Sequence, residues 1–335
     1  MNGIIASKLN QINSLKNAMR YSTGLLLAKG KKLCTELAQV LGKKHDTLWR
    51  DLERIARNPQ QVEAELLSNV IEKNKQKQGC LLIDNSVLVK EFARQMEGIS
   101  RQHCGSQQKP GIGITAFAWT DYKIVEPITV NMWKKGDKSK VVTATDIALS
   151  LAQRINVKAV LADGLFASRE TIKKYLEAHV YFVMRFPSNR VVSVPGFEGA
   201  VSLKNHVAFK FKKNQRCIVR EVVWHGLIFH VTALKIKHAK KGWFTLFLVT
   251  NMPFEQARQA AGFYHHRWKI EVFFRTCKQR FGLDQCQARS LNQQKAHCLS
   301  VFLAYSRLQN SLNRKTNLLF KSEYPDLFTV FMADA

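Results

Sequence analysis

The chain has 335 residues, with 52 Lys and Arg against 25 Asp and Glu, for a formal net charge of +27. That length holds one large domain or two to three ordinary ones, and 46% hydrophobic residues is ordinary for a folded protein. The charge points to a polyanion partner, because neutralising phosphates releases counterions. Its spread along the whole sequence excludes a lone basic tail.

The first residues, MNGIIASKLNQINSLKNAMR, are too polar for a secretory signal. No run reaches about 18 consecutive apolar residues, so no membrane-spanning helix is expected. Residues 1 to 75 read as helical. In TELAQVLGKKHDTLWRDLERI (35–55), apolar Leu37, Ala38, Leu41, Leu48 and Leu52 flank a break at Gly42. This is the pattern of a helix-turn-helix, with Leu37–Leu41 first and Asp46–Ile55 as the recognition helix. Asp46 is the expected N-cap. The polar run IEKNKQKQ (71–78) reads as a linker.

From Gly79 the pattern changes. CLLIDNSVLV (80–89) is a short apolar run around Asp84, and residues 111–133 read as two strands with a turn near Asp121–Lys123. Helical periodicity follows over 143–154. VKAVLADGLF (157–166) is a second apolar run, ending at Asp163 and Gly164. A helix at 169–178 and a strand at 180–186 complete an α/β alternation. Residues 187–240 hold only short apolar runs, at 191–194, 208–211, 217–223 and 227–234, and read as an all-β insertion. WFTLFLVTN (243–251) returns as a buried strand, a long helix starts soon after Pro253, and 290–320 is mostly helical. The expected divisions are a helical region (1–75), a core in two parts (79–186 and 241–290), the insertion (187–240) between them, and a C-terminal helical region (291–335).

On a helix turning about 100° per residue, Tyr264, Arg267, Glu271 and Lys278 fall at roughly 0°, 300°, 340° and 320°. They form one polar stripe with a carboxylate, two cations and a phenol. Phe263, Ile270, Phe274, Cys277 and Phe281 form an adjacent apolar seam for burial. Trp268 lies between stripe and solvent, while His265 and His266 point away.

Asp84 sits within one apolar run and Asp163 at the end of another, where burying a charge is costly without a partner. Together with Glu271 they make three carboxylates able to hold two divalent ions for phosphodiester chemistry. Mg²⁺ suits this oxygen-only set, with Mn²⁺ as an alternative. Asp121, Asp137 and Asp146 could replace Asp84 but lie at turns and a helix start, where Asp is expected. The seven cysteines (34, 80, 104, 217, 277, 286, 298) form no C-x-x-C pair and read as reduced thiols of a cytoplasmic protein. Cys286 with His297 or Cys298 matches no common zinc spacing.

The order Asp84, Asp163, Glu271, with Tyr264-x2-Arg267-x3-Glu271-x6-Lys278, resembles the Y-R-E-K signature of bacterial DDE transposases of the insertion-sequence-four type. LLIDNS, LADGLF and FLVTN resemble the surrounding motifs of that family, over roughly residues 80–315. Asn85 departs from it, since a small hydroxyl residue is commoner there. The resemblance implies a ribonuclease H-like catalytic domain interrupted by a β-rich insertion. It implies Asp84, Asp163 and Glu271 as catalytic metal ligands, and Tyr264, Arg267 and Lys278 as contacts to the transposon end. Trp268 is a further candidate DNA contact. The activity implied is cut-and-paste transposition on double-stranded DNA, at terminal inverted repeats and target, by a homodimer in the synaptic complex, in the bacterial cytoplasm and nucleoid-associated when bound. The alternatives are a metal-dependent nuclease without strand transfer, or a helix-turn-helix protein with an inactive catalytic domain.

Overall fold

The computed structural model describes residues 2–93, 95–104, 107–238 and 242–311. Four helices come first: α1 (Asn2–Leu27), α2 (Cys34–Val40), α3 (His45–Arg57) and α4 (Gln60–Gln76). Four strands follow, β1 (Gly79–Val89), β2 (Ser100–Cys104), β3 (Gln107–Thr120) and β4 (Val125–Trp133), then α5 (Lys140–Arg154), β5 (Val157–Ala162), α6 (Arg169–Glu177) and β6 (Phe182–Arg185). Next are β7 (Val191–Ser193), β8 (Ala200–Ser202), β9 (Cys217–Trp224), β10 (Leu227–His238) and β11 (Gly242–Thr250). Helices α7 (Phe254–Ala257), α8 (Ala260–His265), α9 (Trp268–Phe281) and α10 (Leu291–Ser311) end the described chain.

All these strands join one mixed sheet, ordered β2-β3-β1-β5-β6-β11-β10-β9-β7-β8, with β4 also paired to β3. The centre is parallel, β1 beside β5 and β5 beside β6. Both flanks are antiparallel, β3 against β1 and β11 against β6. Residues 187–240 therefore do not stand apart as a separate sheet: β9 and β10 extend the central one outward from β11.

Side chains alternate across a strand, so the apolar runs supply two cores. Leu82, Leu161, Val183 and Leu248 share one with α1–α3, α9 and α10. Leu81, Ile83, Val160, Ala162, Phe182 and Met184 share the other with α5 and α6. A strand buried on both faces reads as a continuous apolar run, which is why LLI and VLA look as they do.

Polar ties fix the helices to the sheet. Glu126, 1% exposed on β4, is bonded by Lys73 of α4 and accepts from Ser306 of α10 at 2.6 Å. The N-terminal helices lie in the same core as α9 and α10, with Tyr21, Leu37, Leu48 and Leu52 among its members. Arg20 of α1 forks onto the fully buried Asp51 of α3, its Nε donating at 2.7 Å.

Several expectations need correction. The expected linker at 71–78 is mostly helix, because α4 runs to Gln76 after burying Val62, Leu66, Leu67 and Val70. Its polar end is a helix surface held by Lys73–Glu126 and Lys75–Glu72 pairs. Lys44, with no side-chain bond, caps α3, and Asp46 sits inside the first turn, where the helix dipole favours a carboxylate. The run at 208–211 is no strand. A tight 3₁₀ turn covers Val207–Phe209, with the His206 side chain accepting from the Ala208 amide. Strand β2 went unpredicted, since its residues are polar and half exposed at the sheet edge. The C-terminal helical reading past residue 311 lies outside the described residues.

Candidate active site

Register sets the first two carboxylates side by side. Ile83 of β1 is opposite Ala162 of the parallel neighbour β5. Asp84, still paired with Ala116 of β3, and Asp163, just past the end of β5, follow these residues and so lie at the same level on adjacent strands. Alternation then decides their direction. Leu82 and Leu161 face the core that holds α9, so Asp84 and Asp163, two residues on, face it too. Asn85 turns to the opposite face, where its side-chain oxygen accepts from Thr115 at 2.6 Å. The departure from a small hydroxyl residue at 85 thus completes a partly buried bond.

Helix α9 brings Glu271 over these strands. It is anchored by Ile270, Phe273, Phe274, Cys277 and Phe281, all buried. The expected seam lacked Phe273, which is fully buried against Phe302 and Tyr305 of α10. Gly282 ends the helix at φ +60°, a conformation costly for other residues, and a Cβ there would stand 2.7 Å from Lys32.

The single long helix expected to carry all four stripe residues is divided. Tyr264 lies on α8, and Arg267 caps α9. The joint is bonded as a 3₁₀ turn, with His266 N–H donating to Phe263, Arg267 to Tyr264 and Ile270 to Arg267, at 3.0, 3.0 and 3.1 Å. Side chains three apart eclipse in such a turn. Tyr264 and Arg267 therefore stack, with the guanidinium carbon 5.6 Å from the ring centre.

Arg267 then reaches between the carboxylates. Its Nη1 lies 3.5 Å from Asp84 Oδ2, and its Nη2 bonds Glu271 Oε1. Its side chain is 13% exposed. Burial pushes the Asp84 carboxyl up to about 6. Arg267 and the Asn85 amide oppose that rise, while Glu271 and Asp163 add to it. The phenol of Tyr264 is raised mainly by burial, and it feels the charges of Arg267, Asp163 and Arg185. These five groups plus Arg185 share one electrostatic environment.

Arg185 was not among the sequence candidates. Ala162 pairs with Met184, which sets Arg185 level with Asp163 and on the same face. A Cβ on Gly164 would stand 3.2 Å from the Arg185 carbonyl, so the two strand ends approach closely. The one signal available was a cation ending an apolar strand, VYFVMRF, at the same relative position as the two aspartates.

Lys278 is further along α9, and its Nζ donates to the Val87 carbonyl of β1 at 3.0 Å. Trp268 is half-buried in the first turn of α9. His266 turns away from the site, stacks on Tyr122 at 4.6 Å, and is lowered to about 4, chiefly by burial. Asp121 and Asp137 close turns by accepting from the Lys123, Ile124 and Lys134 amides, and Asp146 pairs with Lys174. Cys286 and Cys298 are pushed up to about 11 and 12 by burial. His297 is held by Tyr21 and the Gly282 carbonyl, so this group offers no zinc site.

Among the described residues, no three His, Cys, Asp or Glu side chains stand as one metal-holding cluster. The donor set still fits a hard divalent cation in kind. It is oxygen-only, its member Asp84 is pushed up chiefly by burial, and a guanidinium already stands between two of its three carboxylates.

Fold and site together define a mixed α/β protein with an acidic cluster at the ends of its central parallel strands. The chain belongs to the family described as Transposase DDE domain, which matches residues 75–307. No curated protein matches it. Among solved structures, it is similar to the piggyBac transposase in a synaptic complex with hairpin DNA, at 13% identity and a TM-score of 0.46, covering 91% of this chain and 67% of that one. It is also similar to the NurA nuclease from Sulfolobus solfataricus, at 10% identity and a TM-score of 0.30, covering 66% and 85%. Among the described residues, no helix is long and apolar enough to cross a membrane.

Proposed function

We propose that this chain is a DNA transposase of the insertion-sequence-four type, which binds element ends, cleaves them with a divalent metal and joins them to new DNA. The observation that carries this reading is the level, same-face placement of Asp84 and Asp163 beneath Glu271. The central strands are read as a ribonuclease H-like catalytic core, with residues 187–240 as its insertion. Asp84, Asp163 and Glu271 hold the metal, Mg²⁺ or Mn²⁺, in this reading. Such an ion would activate the attacking oxygen and neutralise charge on the leaving one.

The remaining groups act on the DNA backbone. Arg267 offers a planar fork to a phosphate, and Lys278 a point charge. Tyr264 supports Arg267 from below, and Trp268 lies one residue beyond it. Helix α3 presents Arg50, Arg54 and Arg57, preceded by exposed Lys43 and Lys44, on the face opposite its buried Leu48, Leu52 and Ile55. We assign that face to duplex binding. Pairing two ends calls for a homodimer in the synaptic complex, in the cytoplasm where the nucleoid lies.

The test is an assay with pre-cleaved inverted-repeat ends and a supercoiled target in Mg²⁺. Joined products are expected. Cleaved ends with no joined product would instead indicate a nuclease, and binding with neither product an inactive regulator. Arg267→Ala and Lys278→Ala are each expected to lower the slope of log affinity against log salt by about one. Unchanged slopes in filter binding across a salt series would remove both residues from the phosphate contacts.

A further inference from the structure

Arg267 has two possible partners that exclude one another. In this structure its guanidinium serves Asp84 and Glu271. On the reading above, the same fork serves a DNA phosphate. The Nη1–Nη2 edge that faces the two carboxylates here is not free at the same time to fork onto a phosphate. Nor can a carboxylate oxygen that accepts from Arg267 give the same lone pair to a metal ion.

The present pairing is incomplete. The Arg267 Nε is buried with no hydrogen-bond partner, so one of the five N–H donors is unused. Asp84 meets the guanidinium only at 3.5 Å. The pairing fills the charge of the site without saturating either side.

We infer that Arg267 couples DNA binding to metal loading: it neutralises Asp84 and Glu271 until a DNA phosphate draws it away, which frees the carboxylates for the ion. This rests on the function proposed above and adds an order to it. Because such coupling is reciprocal, the metal should also favour the DNA-engaged position of Arg267. The arrangement keeps metal affinity low on protein that holds no DNA.

The test measures Mn²⁺ binding to the full chain by electron paramagnetic resonance, without DNA. Arg267→Gln is expected to bind Mn²⁺ about tenfold more tightly than wild type, within the usual range for coupled sites. Arg267→Lys keeps the charge, loses the fork and is expected to fall between. Mn²⁺ should also raise the Tm of Arg267→Gln by more than that of wild type. A short duplex should tighten Mn²⁺ binding in wild type more than in Arg267→Gln. Equal or weaker Mn²⁺ affinity in both folded variants overturns the coupling and leaves the metal reading standing. Failure of wild type and both variants to bind Mn²⁺ overturns both.

Discussion

In Asp84→Asn, metal-dependent cleavage is expected to fall on the order of 10³-fold while the folded protein becomes more stable. A metal acting on a phosphoryl oxygen supplies several kcal/mol of transition-state stabilisation, and each 1.36 kcal/mol is tenfold in rate. On the proposed function, loss of one anionic ligand from the three-carboxylate set removes much of this. The opposite effect on stability comes from burial. The Asp84 carboxyl rises from an ordinary 3.8 to about 6, mainly through desolvation. At 1.36 kcal/mol per pKa unit, ionised Asp84 costs the fold about 3 kcal/mol at neutral pH. Its folded-state value lies above its unfolded one. The Asp84 contribution is therefore fully present below about pH 4, is lost as pH rises towards 6, and stays lost beyond. An amide of similar shape avoids that loss, and Arg267 retains Glu271. Thermal melts in EDTA from pH 4 to 8 check this: the advantage of Asp84→Asn should grow between pH 4 and 6 and then level off. A variant that melts below wild type at pH 7, or that cleaves at the wild-type rate, would refute the assignment.

Arg20→Met should destabilise the protein by about 3–5 kcal/mol, the usual cost of breaking a buried pair from one side. Asp51 is fully buried, and its carboxylate loses both donors of the Arg20 fork. The reverse change, Asp51→Leu, should cost less, because Arg20 is 36% exposed and reaches water. The double variant Arg20→Met, Asp51→Leu should recover much of the loss, since an apolar pair of similar volume often replaces a buried ion pair at little cost. Urea unfolding of the four proteins gives the coupling directly. If Arg20→Met lies within 1 kcal/mol of wild type, the pair does not hold α1 to α3.

Much of the site was legible because short-range rules place its parts. Asp84 lies within one apolar run and Asp163 closes another, and β1 and β5 form where those runs lie. The buried seam on α9 followed from helical spacing, except for Phe273, whose burial depends on α10. The break at 265–267 was not legible, because the local residues fit a continuous α-helix and only the backbone bonding shows the tighter turn. The local signal for Arg185, a cation closing an apolar strand, is weak, and the β5–β6 register is what sets it level with Asp163. The polar end of α4 reads as a linker locally because its partner, Glu126, lies 53 residues away.

By itself the sequence determined most of the order of helices and strands, the chain positions of three carboxylates, and a charge suited to a polyanion. Hydrophobic periodicity and composition act within one element or over the whole chain, so both survive without a fold. The tertiary structure alone decided which charges meet. It extended the central sheet through β11 into β10 and β9, and it set the N-terminal helices in one core with α10. It also stacked Tyr264 on Arg267 and laid that guanidinium between Asp84 and Glu271. The Arg267–Asp84 pairing, across 183 residues of chain, depends on register and packing between distant elements, and no local pattern encodes it.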